Sequence, residues 1–221
     1  MEASPAASED ATGDELRGGG AGRLHLFLGE RGVKRGLLIV ISGPSGVGKD
    51  TLIRRLLQMD RNLVYSVSGT TRPPRAGEQP DHNYTFLSRD EFERLIGKGA
   101  FLEHATYNGH LYGTFHERVE DARDRGRDVV LKIDVQGAEQ VRRLIPDAIR
   151  IFVVAPSERE LERRQEQRGS ESAQDMEARR RIAEKEMTYA KEYDHVVTND
   201  DIERAANEIL SLVRRARERQ T

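Results

Sequence analysis

The stretch LLIVISGPSGVGKDTLIRRLLQM, residues 37–59, decides the fold class. It begins with a continuous apolar run at 37–42, which is typical of a strand buried on both faces of a parallel sheet. A glycine-rich turn follows, and then apolar residues at helical spacing predict an amphipathic helix. A strand, a glycine-rich loop, a lysine and a helix in this order predict a loop that binds phosphate.

The loop itself carries the chemistry that a phosphate site needs. Glycines at three positions allow positive φ angles and a close approach of the backbone to a ligand. The loop N–H groups and the helix N-terminus then face an anion, and Lys49 reaches the β- and γ-phosphates. The alternative, a glycine-rich turn without a ligand, does not explain the lysine and the flanking strand and helix. The predicted nucleotide-binding residues are Gly43, Pro44, Ser45, Gly46, Val47, Gly48, Lys49, Asp50 and Thr51.

Asp50 departs from the phosphate-loop pattern, which has Ser or Thr after the lysine. The hydroxyl at that position normally ligates the magnesium ion of the nucleotide. A carboxylate in the first helical turn suits the helix macrodipole, and Mg²⁺ readily accepts carboxylate oxygens. We therefore predict that Asp50 holds Mg²⁺, directly or through water, while its charge repels the triphosphate.

The composition restricts the remaining possibilities. The chain has 221 residues, enough for one globular domain, and no cysteine, so disulfides and thiolate metal sites are excluded. A net charge of −2 gives no basic surplus for nucleic acid, and no apolar run approaches the length of a membrane span. The N-terminus lacks the pattern of a secretory signal. We expect a cytoplasmic protein with no nucleic-acid or membrane partner.

The pattern beyond the loop predicts an α/β fold. Apolar segments at 63–68, 128–134, 148–156 and 195–199 alternate with amphipathic helical segments, as in a parallel sheet flanked by helices. Residues 1–35 are rich in Ala, Gly, Ser and acid and are predicted to be a disordered tail and lead-in. The folded domain is predicted at 36–221, with its core at 36–68, 115–163 and 191–221.

Two insertions interrupt the alternation. In residues 69–114, the pair Asn108–Gly109 between apolar runs predicts a hairpin and a small antiparallel sheet. Arg72 and Arg75 lie there in the proline-stiffened stretch TTRPPRAGE, and two guanidinium groups suit a second phosphate. Surface charge is the alternative for either arginine alone. The second insertion, within 164–190, is polar and dense in arginine and is predicted to form a helical lid over a ligand.

These stretches together resemble guanylate kinase over about residues 36–212. The resemblance lies in GPSGVGK, SGTTRPPRAGE, the Glu–Tyr hairpin FLEHATYNGHLYGT, IDVQGA and the arginine-rich lid. It implies a GMP-binding subdomain at 69–114, ATP as phosphate donor with Mg²⁺, and GMP as acceptor, with deoxy-GMP left open. A monomer or small homo-oligomer is expected.

The resemblance also implies roles for individual residues. The GMP phosphate would be held by Arg72, Arg75, Tyr84 and Tyr112, and the guanine would be read by Ser68, Glu103 and Thr114. Asp134 would lie between the two nucleotides, contacting the acceptor and, through water, the metal, and Asn199 would lie near the adenine of the donor. The catalytic set would be Lys49, Arg72, Arg164, Arg168, Arg179 and Asp134, of which the lid arginines contact the transferring phosphoryl group.

Glu103 gives the implied acceptor a chemical basis. Guanine presents adjacent N1–H and N2–H donors that one carboxylate can accept together. Adenine and the pyrimidines lack that pair and would leave a buried Glu103 without a partner, which is costly.

Lys132 is a departure from the resemblance, because family members often carry an acid at that position. Pairing with a neighbouring acid is the default expectation for Lys132, and an added positive charge in the cleft is the alternative.

Two other functions remain open from the sequence. A related kinase that acts on ribose 1,5-bisphosphate shares the phosphate loop and often has Asp after its lysine, but it needs neither Glu103 nor the TTRPPRAGE stretch. A guanylate-kinase-like module that binds proteins without catalysis typically loses the loop lysine and glycines, whereas this chain retains Lys49.

Overall fold

The computed structural model describes residues 34–166 and 181–220. The predicted tail at 1–35 and the middle of the predicted lid therefore lie almost entirely outside the described residues, as do Arg168 and Arg179. Of the predicted lid, the structure describes 164–166 and 181–190.

A parallel sheet of five strands forms the centre of the described chain, in the order β2-β7-β1-β8-β9. The strands are β1 (Leu38–Ser42), β2 (Leu63–Tyr65), β7 (Asp128–Lys132), β8 (Ile149–Val154) and β9 (His195–Thr198). All four neighbouring pairs are parallel, so the predicted parallel α/β fold is confirmed. The central strand β1 is buried along its whole length, as its unbroken apolar run predicted.

Helices cover both faces of this sheet. They are α1 (Lys49–Met59), α3 (His116–Asp124), α4 (Val135–Leu144), α5 (Glu158–Glu166), helical residues 181–187 (α6) and α7 (Ile202–Arg219). The remaining helix of the described chain, α2 (Arg89–Gly97), instead packs its buried Phe92 against Phe101. Ile39 and Ile41 pack with α1 and α7, whereas Leu38 and Val40 pack with α3 and α4, following the two-residue period of a strand. None of the helices in the described ranges combines the length and apolar character that a membrane span requires.

A smaller sheet stands beside the central one within residues 69–115. It has the order β4-β3-β6-β5, formed by β3 (Gly69–Thr70), β4 (Thr85–Phe86), β5 (Phe101–Tyr107) and β6 (His110–Phe115). Asn108 and Gly109 both have positive φ, 48° and 78°, and make the predicted hairpin turn.

The sequence predicted an antiparallel sheet here, but the smaller sheet is mixed. The pairs β3–β6 and β5–β6 are antiparallel, but β3 and β4 run parallel. The reason is that residues 71–84 return the chain to the end of the sheet where β3 began. The arginine-bearing stretch is therefore a crossover loop and not a hairpin turn.

Two glutamines of α4 attach the smaller sheet to the core. Gln140 accepts a hydrogen bond from the amide of His104 at 3.2 Å and donates one to the carbonyl of the same residue at 2.7 Å. Gln136 donates to the carbonyl of Thr106 at 3.1 Å. These bonds satisfy backbone groups on the exposed edge of β5, and they fix that strand relative to the central sheet.

Candidate active site

A cleft of about 390 Å³ opens where β1 and β7 end, and the smaller sheet forms its other wall. The carboxyl ends of parallel strands are the usual place for ligands in α/β folds. Most residues predicted from the sequence line it: Gly43, Ser45, Gly46, Gly48, Lys49, Asp50, Ser68, Arg72, Arg75, Tyr84, Glu103, Tyr112 and Asp134.

The phosphate loop has the conformation that an anion site requires. Its glycines have φ angles of 142°, 92° and 97°, and a Cβ on Gly43 would lie 2.2 Å from the carbonyl oxygen of Val153. Gly48 caps α1 without a side chain, which leaves the helix N-terminus facing the cleft. Lys49 Nζ donates to the carbonyl oxygens of Gly43 at 2.5 Å and Pro44 at 3.0 Å. The loop thus holds its own lysine beside the phosphate position.

Asp50 and Lys132, the two departures from the expected pattern, contact each other. Lys132 Nζ lies 2.5 Å from Asp50 Oδ1, so the expectation that Lys132 pairs with an acid is confirmed. Burial lowers the pKa of Lys132, but nearby Tyr65, Tyr84 and Asp50 outweigh burial and raise the pKa above its usual value. The lysine is therefore a charged group on the cleft wall.

The opposite wall carries the residues that were predicted to hold a second phosphate. The Arg72 guanidinium donates to both carboxylate oxygens of Glu78, at 2.8 and 2.9 Å, and its Cζ lies 5.5 Å from the centroid of the Tyr84 ring. The rings of Tyr84 and Tyr112 lie 5.8 Å apart, edge to face. Arg72, Tyr84 and Tyr112 are thus brought together as predicted, and their polar groups can bind one phosphate.

Glu78 orients this arginine loop and was not singled out from the sequence. Burial raises its pKa, but hydrogen bonds from Arg72 and from the backbone amide of Arg75 outweigh burial and lower the pKa below its usual value. The bond to the Arg75 amide is 2.7 Å long. Glu78 is therefore ionised and fixes the direction of the Arg72 guanidinium group.

Glu103 lies at the inner end of the cleft with only 4% of its surface exposed. Thr114 Oγ1 donates to Glu103 Oε1 at 2.6 Å. Burial raises the pKa of Glu103 to about 7, the Thr114 hydroxyl opposes this rise, and the negative charge of Asp134 adds to it. A Cβ on Gly137 would lie 2.2 Å from Glu103 Oε2, so this glycine in α4 makes room for the carboxylate.

Asp134 has a fixed orientation because it caps α4. Its Oδ1 accepts a hydrogen bond from the amide of Gly137 at 2.9 Å, and its Oδ2 accepts one from Gln136 Nε2 at 2.9 Å. Such a cap satisfies an N–H group of the first helical turn. One carboxylate therefore both begins the helix and faces the cleft.

Several predicted site residues do not line the cleft, and two of these contact the back of the loop. Asn199 Nδ2 donates to the carbonyl of Val47 at 2.8 Å, and Arg164 contacts the carbonyls of Val47 and Asn199 at 3.3 and 3.1 Å. Thr51 is exposed, whereas Thr114 is buried against Glu103. Arg164 and Asn199 therefore support the phosphate loop in this conformation.

Glu186 of α6 is a cleft residue that the sequence interpretation missed. It is 6% exposed, and its Oε2 has no hydrogen-bond partner among the residues that the structure describes. Burial raises its pKa to about 7, Lys49 opposes the rise and Asp134 adds to it. Helical spacing could have indicated that Glu186 is buried, because it lies on the apolar face of α6 one turn after the buried Ala183.

The carboxylates that line the cleft suit a magnesium ion that binds together with a nucleotide. Within 34–166 and 181–220, no cluster of three or more His, Cys, Asp or Glu side chains could hold a metal ion. Mg²⁺ is usually held by one or two carboxylates together with water and substrate phosphates, so a protein cage is not needed. Asp50 and Asp134 both line the cleft and can provide those carboxylates.

Comparisons with known proteins identify the family to which this chain is similar. The guanylate kinase family model matches residues 35–216. A curated guanylate kinase of Rubrobacter xylanophilus is 51% identical over 183 residues, covering 83% of this chain and 96% of the relative. One from Thermus thermophilus is 46% identical over 185 residues, covering 84% of each chain.

A solved structure supports the same assignment. The crystal structure of guanylate kinase from Anaplasma phagocytophilum superposes with a TM-score of 0.70 at 35% identity, covering 82% of this chain and 86% of that one. The chain therefore belongs to the guanylate kinase family.

Proposed function

We propose that this chain transfers the γ-phosphoryl group of ATP to GMP, which yields ADP and GDP. The observation that carries the proposal is a single cleft that joins a phosphate loop to a buried glutamate and an arginine–tyrosine cluster. The loop supplies a donor site, and the glutamate and arginine supply a site for an acidic guanine nucleotide. The family assignment supports the same reaction.

ATP is proposed to bind at 43–51, with its phosphates on the loop amides and the helix N-terminus. Lys49, now bonded to loop carbonyls, would turn to the β- and γ-phosphates. Asp50 and Asp134 would hold Mg²⁺, which shields the phosphate charge when bound. Asn199 is proposed to lie near the adenine while its side chain braces the loop.

GMP is proposed to bind across the opposite wall. The guanine N1–H and N2–H groups would donate to Glu103, and Ser68 and Thr114 would complete the base site. The phosphate would be held by Arg72, Arg75, Tyr84 and Tyr112. Asp134, fixed by its capping bond, would lie between acceptor and donor.

The chemistry needs positioning and charge neutralisation more than proton transfer. A GMP phosphate oxygen is already anionic at neutral pH, so the attacking atom needs no general base. In-line alignment and positive groups around the transferring phosphoryl oxygens then lower the barrier. Lys49 and the lid residues Arg164, Arg168 and Arg179 are proposed to supply those charges, and lid closure would exclude water.

The structure favours this function over the two alternatives. A bisphosphate acceptor lacks the adjacent N1–H and N2–H donors that suit the buried Glu103, and a non-catalytic module would not need Lys49 held beside an open anion site. A cytoplasmic location and a monomeric or small homo-oligomeric state stay predictions.

An acceptor panel tests the function directly. ADP formation should occur with GMP and not with AMP or ribose 1,5-bisphosphate, because only guanine satisfies Glu103. Lys49→Met should remove turnover and leave the melting temperature unchanged, since Lys49 lies at the cleft. Coupled ADP assays measure both. Turnover with the bisphosphate alone selects the related kinase, and no turnover with any acceptor selects the binding module.

The pH dependence of GMP binding should reveal the raised pKa of Glu103. Guanine needs the carboxylate form, which is lost as the pH falls through about 7. The Kd for GMP should therefore be roughly tenfold higher at pH 6 than at pH 8, measured by calorimetry. Glu103→Gln is the control: it should bind GMP weakly without a step near pH 7, so that any remaining step belongs to the phosphate. An identical profile in both proteins excludes Glu103 from guanine binding.

Gly137→Ala should separate acceptor binding from donor binding. The added methyl group would push the Glu103 carboxylate from its position, because the gap is only 2.2 Å. The KM for GMP should rise about tenfold or more, while the KM for ATP changes little. Ala138→Gly, at the next position of the same helix, controls for a general effect on α4. Equal rises in both KM values would contradict the steric explanation.

A further inference from the structure

Lys132 is the last residue of β7 and lies between the donor and acceptor walls of the cleft. On one side its ammonium group contacts Asp50, in the first turn after the phosphate loop, at 2.5 Å. On the other side it lies 5.1 Å from the centroid of the Tyr84 ring. Among the lysines of the described residues, Lys49 and Lys132 line the cleft, and it is Lys132 that lies beside the Tyr84 ring.

Tyr84 connects this lysine to the proposed acceptor site. The Arg72 guanidinium carbon lies 5.5 Å from the centroid of the same ring, so two cationic groups flank one phenol. A phosphate monoester carries between one and two negative charges and three strong acceptor oxygens. Because Glu78 already neutralises Arg72, a second cation beside Tyr84 would add the attraction that a dianion requires.

The difference in solvent exposure between the two partners also suggests that Lys132 does more than neutralise Asp50. The Asp50 side chain is 56% exposed and the Lys132 side chain 15% exposed. Water therefore screens the carboxylate strongly, while the ammonium group stays in a less solvated position. In addition, a carboxylate in the first turn of a helix is already favoured by the macrodipole, so Asp50 does not require a lysine for its own stability.

We propose that Lys132 is a further binding residue for the acceptor phosphate, and that Asp50 holds its ammonium group in place before the acceptor arrives. This inference rests on the proposed function, since it concerns the same acceptor site. Lys132 donates to a phosphate oxygen of GMP alongside Arg72 and Tyr84. Its contact with Asp50 links the acceptor phosphate to the first turn of the donor-binding helix.

A double-mutant cycle separates this role from simple neutralisation of Asp50. Calorimetry without ATP gives the Kd for GMP of the wild type, Lys132→Met, Asp50→Asn and the double variant. If Lys132 binds the phosphate, the double variant binds GMP roughly tenfold or more weakly than Asp50→Asn alone. If Lys132 only neutralises Asp50, these two proteins bind equally, and the proposal is overturned.

Guanosine identifies the group that Lys132 contacts. An NMR titration with guanosine should give equal affinities for Asp50→Asn and the double variant, because the ligand has no phosphate. An equal loss with guanosine and GMP would show that Lys132 acts on the base or on the fold, against the proposal.

Two further variants control for the loss of any lysine and for the loss of stability at position 132. Lys98→Met removes an exposed lysine at the end of α2 and should leave GMP binding unchanged. Lys132→Arg keeps a cation and should bind GMP more tightly than Lys132→Met, even if both lose some stability. A wild type that binds no GMP overturns the proposed function as well, whereas tight binding by the double variant overturns only the role of Lys132.

Discussion

The parallel pairing of β1 with β7 is the constraint on which the site depends. Their register places Ile41 beside Lys132, so the phosphate loop that follows β1 and the residues that follow β7 emerge at the same edge of the sheet. Ser42 reinforces this by donating to the carbonyl of Ile133 at 2.8 Å. Donor loop, Lys132 and Asp134 are therefore neighbours because of main-chain pairing, before any ligand binds.

A second constraint is that three charged groups of the cleft already have protein partners before a ligand binds. Arg72 bonds to Glu78, Lys132 bonds to Asp50, and Glu103 accepts from Thr114. A buried or half-buried charge without such a partner would be costly. Binding of two nucleotides then exchanges some of these contacts for contacts to phosphate and base, so the free protein is already organised for its substrates.

Features that depend on short-range sequence patterns were predicted correctly. The specific contacts between distant segments were not. The loop at 43–51, the hairpin at Asn108–Gly109 and the buried β1 follow from short-range spacing. The sequence predicted that Lys132 pairs with an acid but not that this acid is Asp50, 82 positions away. The need for glycine at 137 arises only when Glu103 approaches α4. The parallel pairing of β3 with β4 depends on the path of a crossover loop, which residue types do not specify.

The central claim is that one cleft holds two nucleotides, with guanine on Glu103. A crystal structure with GMP and a non-hydrolysable ATP analogue tests it most directly. We expect guanine N1 and N2 within hydrogen-bond distance of Glu103, the GMP phosphate beside Arg72 and Tyr84, and the donor phosphates on residues 43–51. Density for the purine monophosphate away from Glu103 and Arg72 would contradict it.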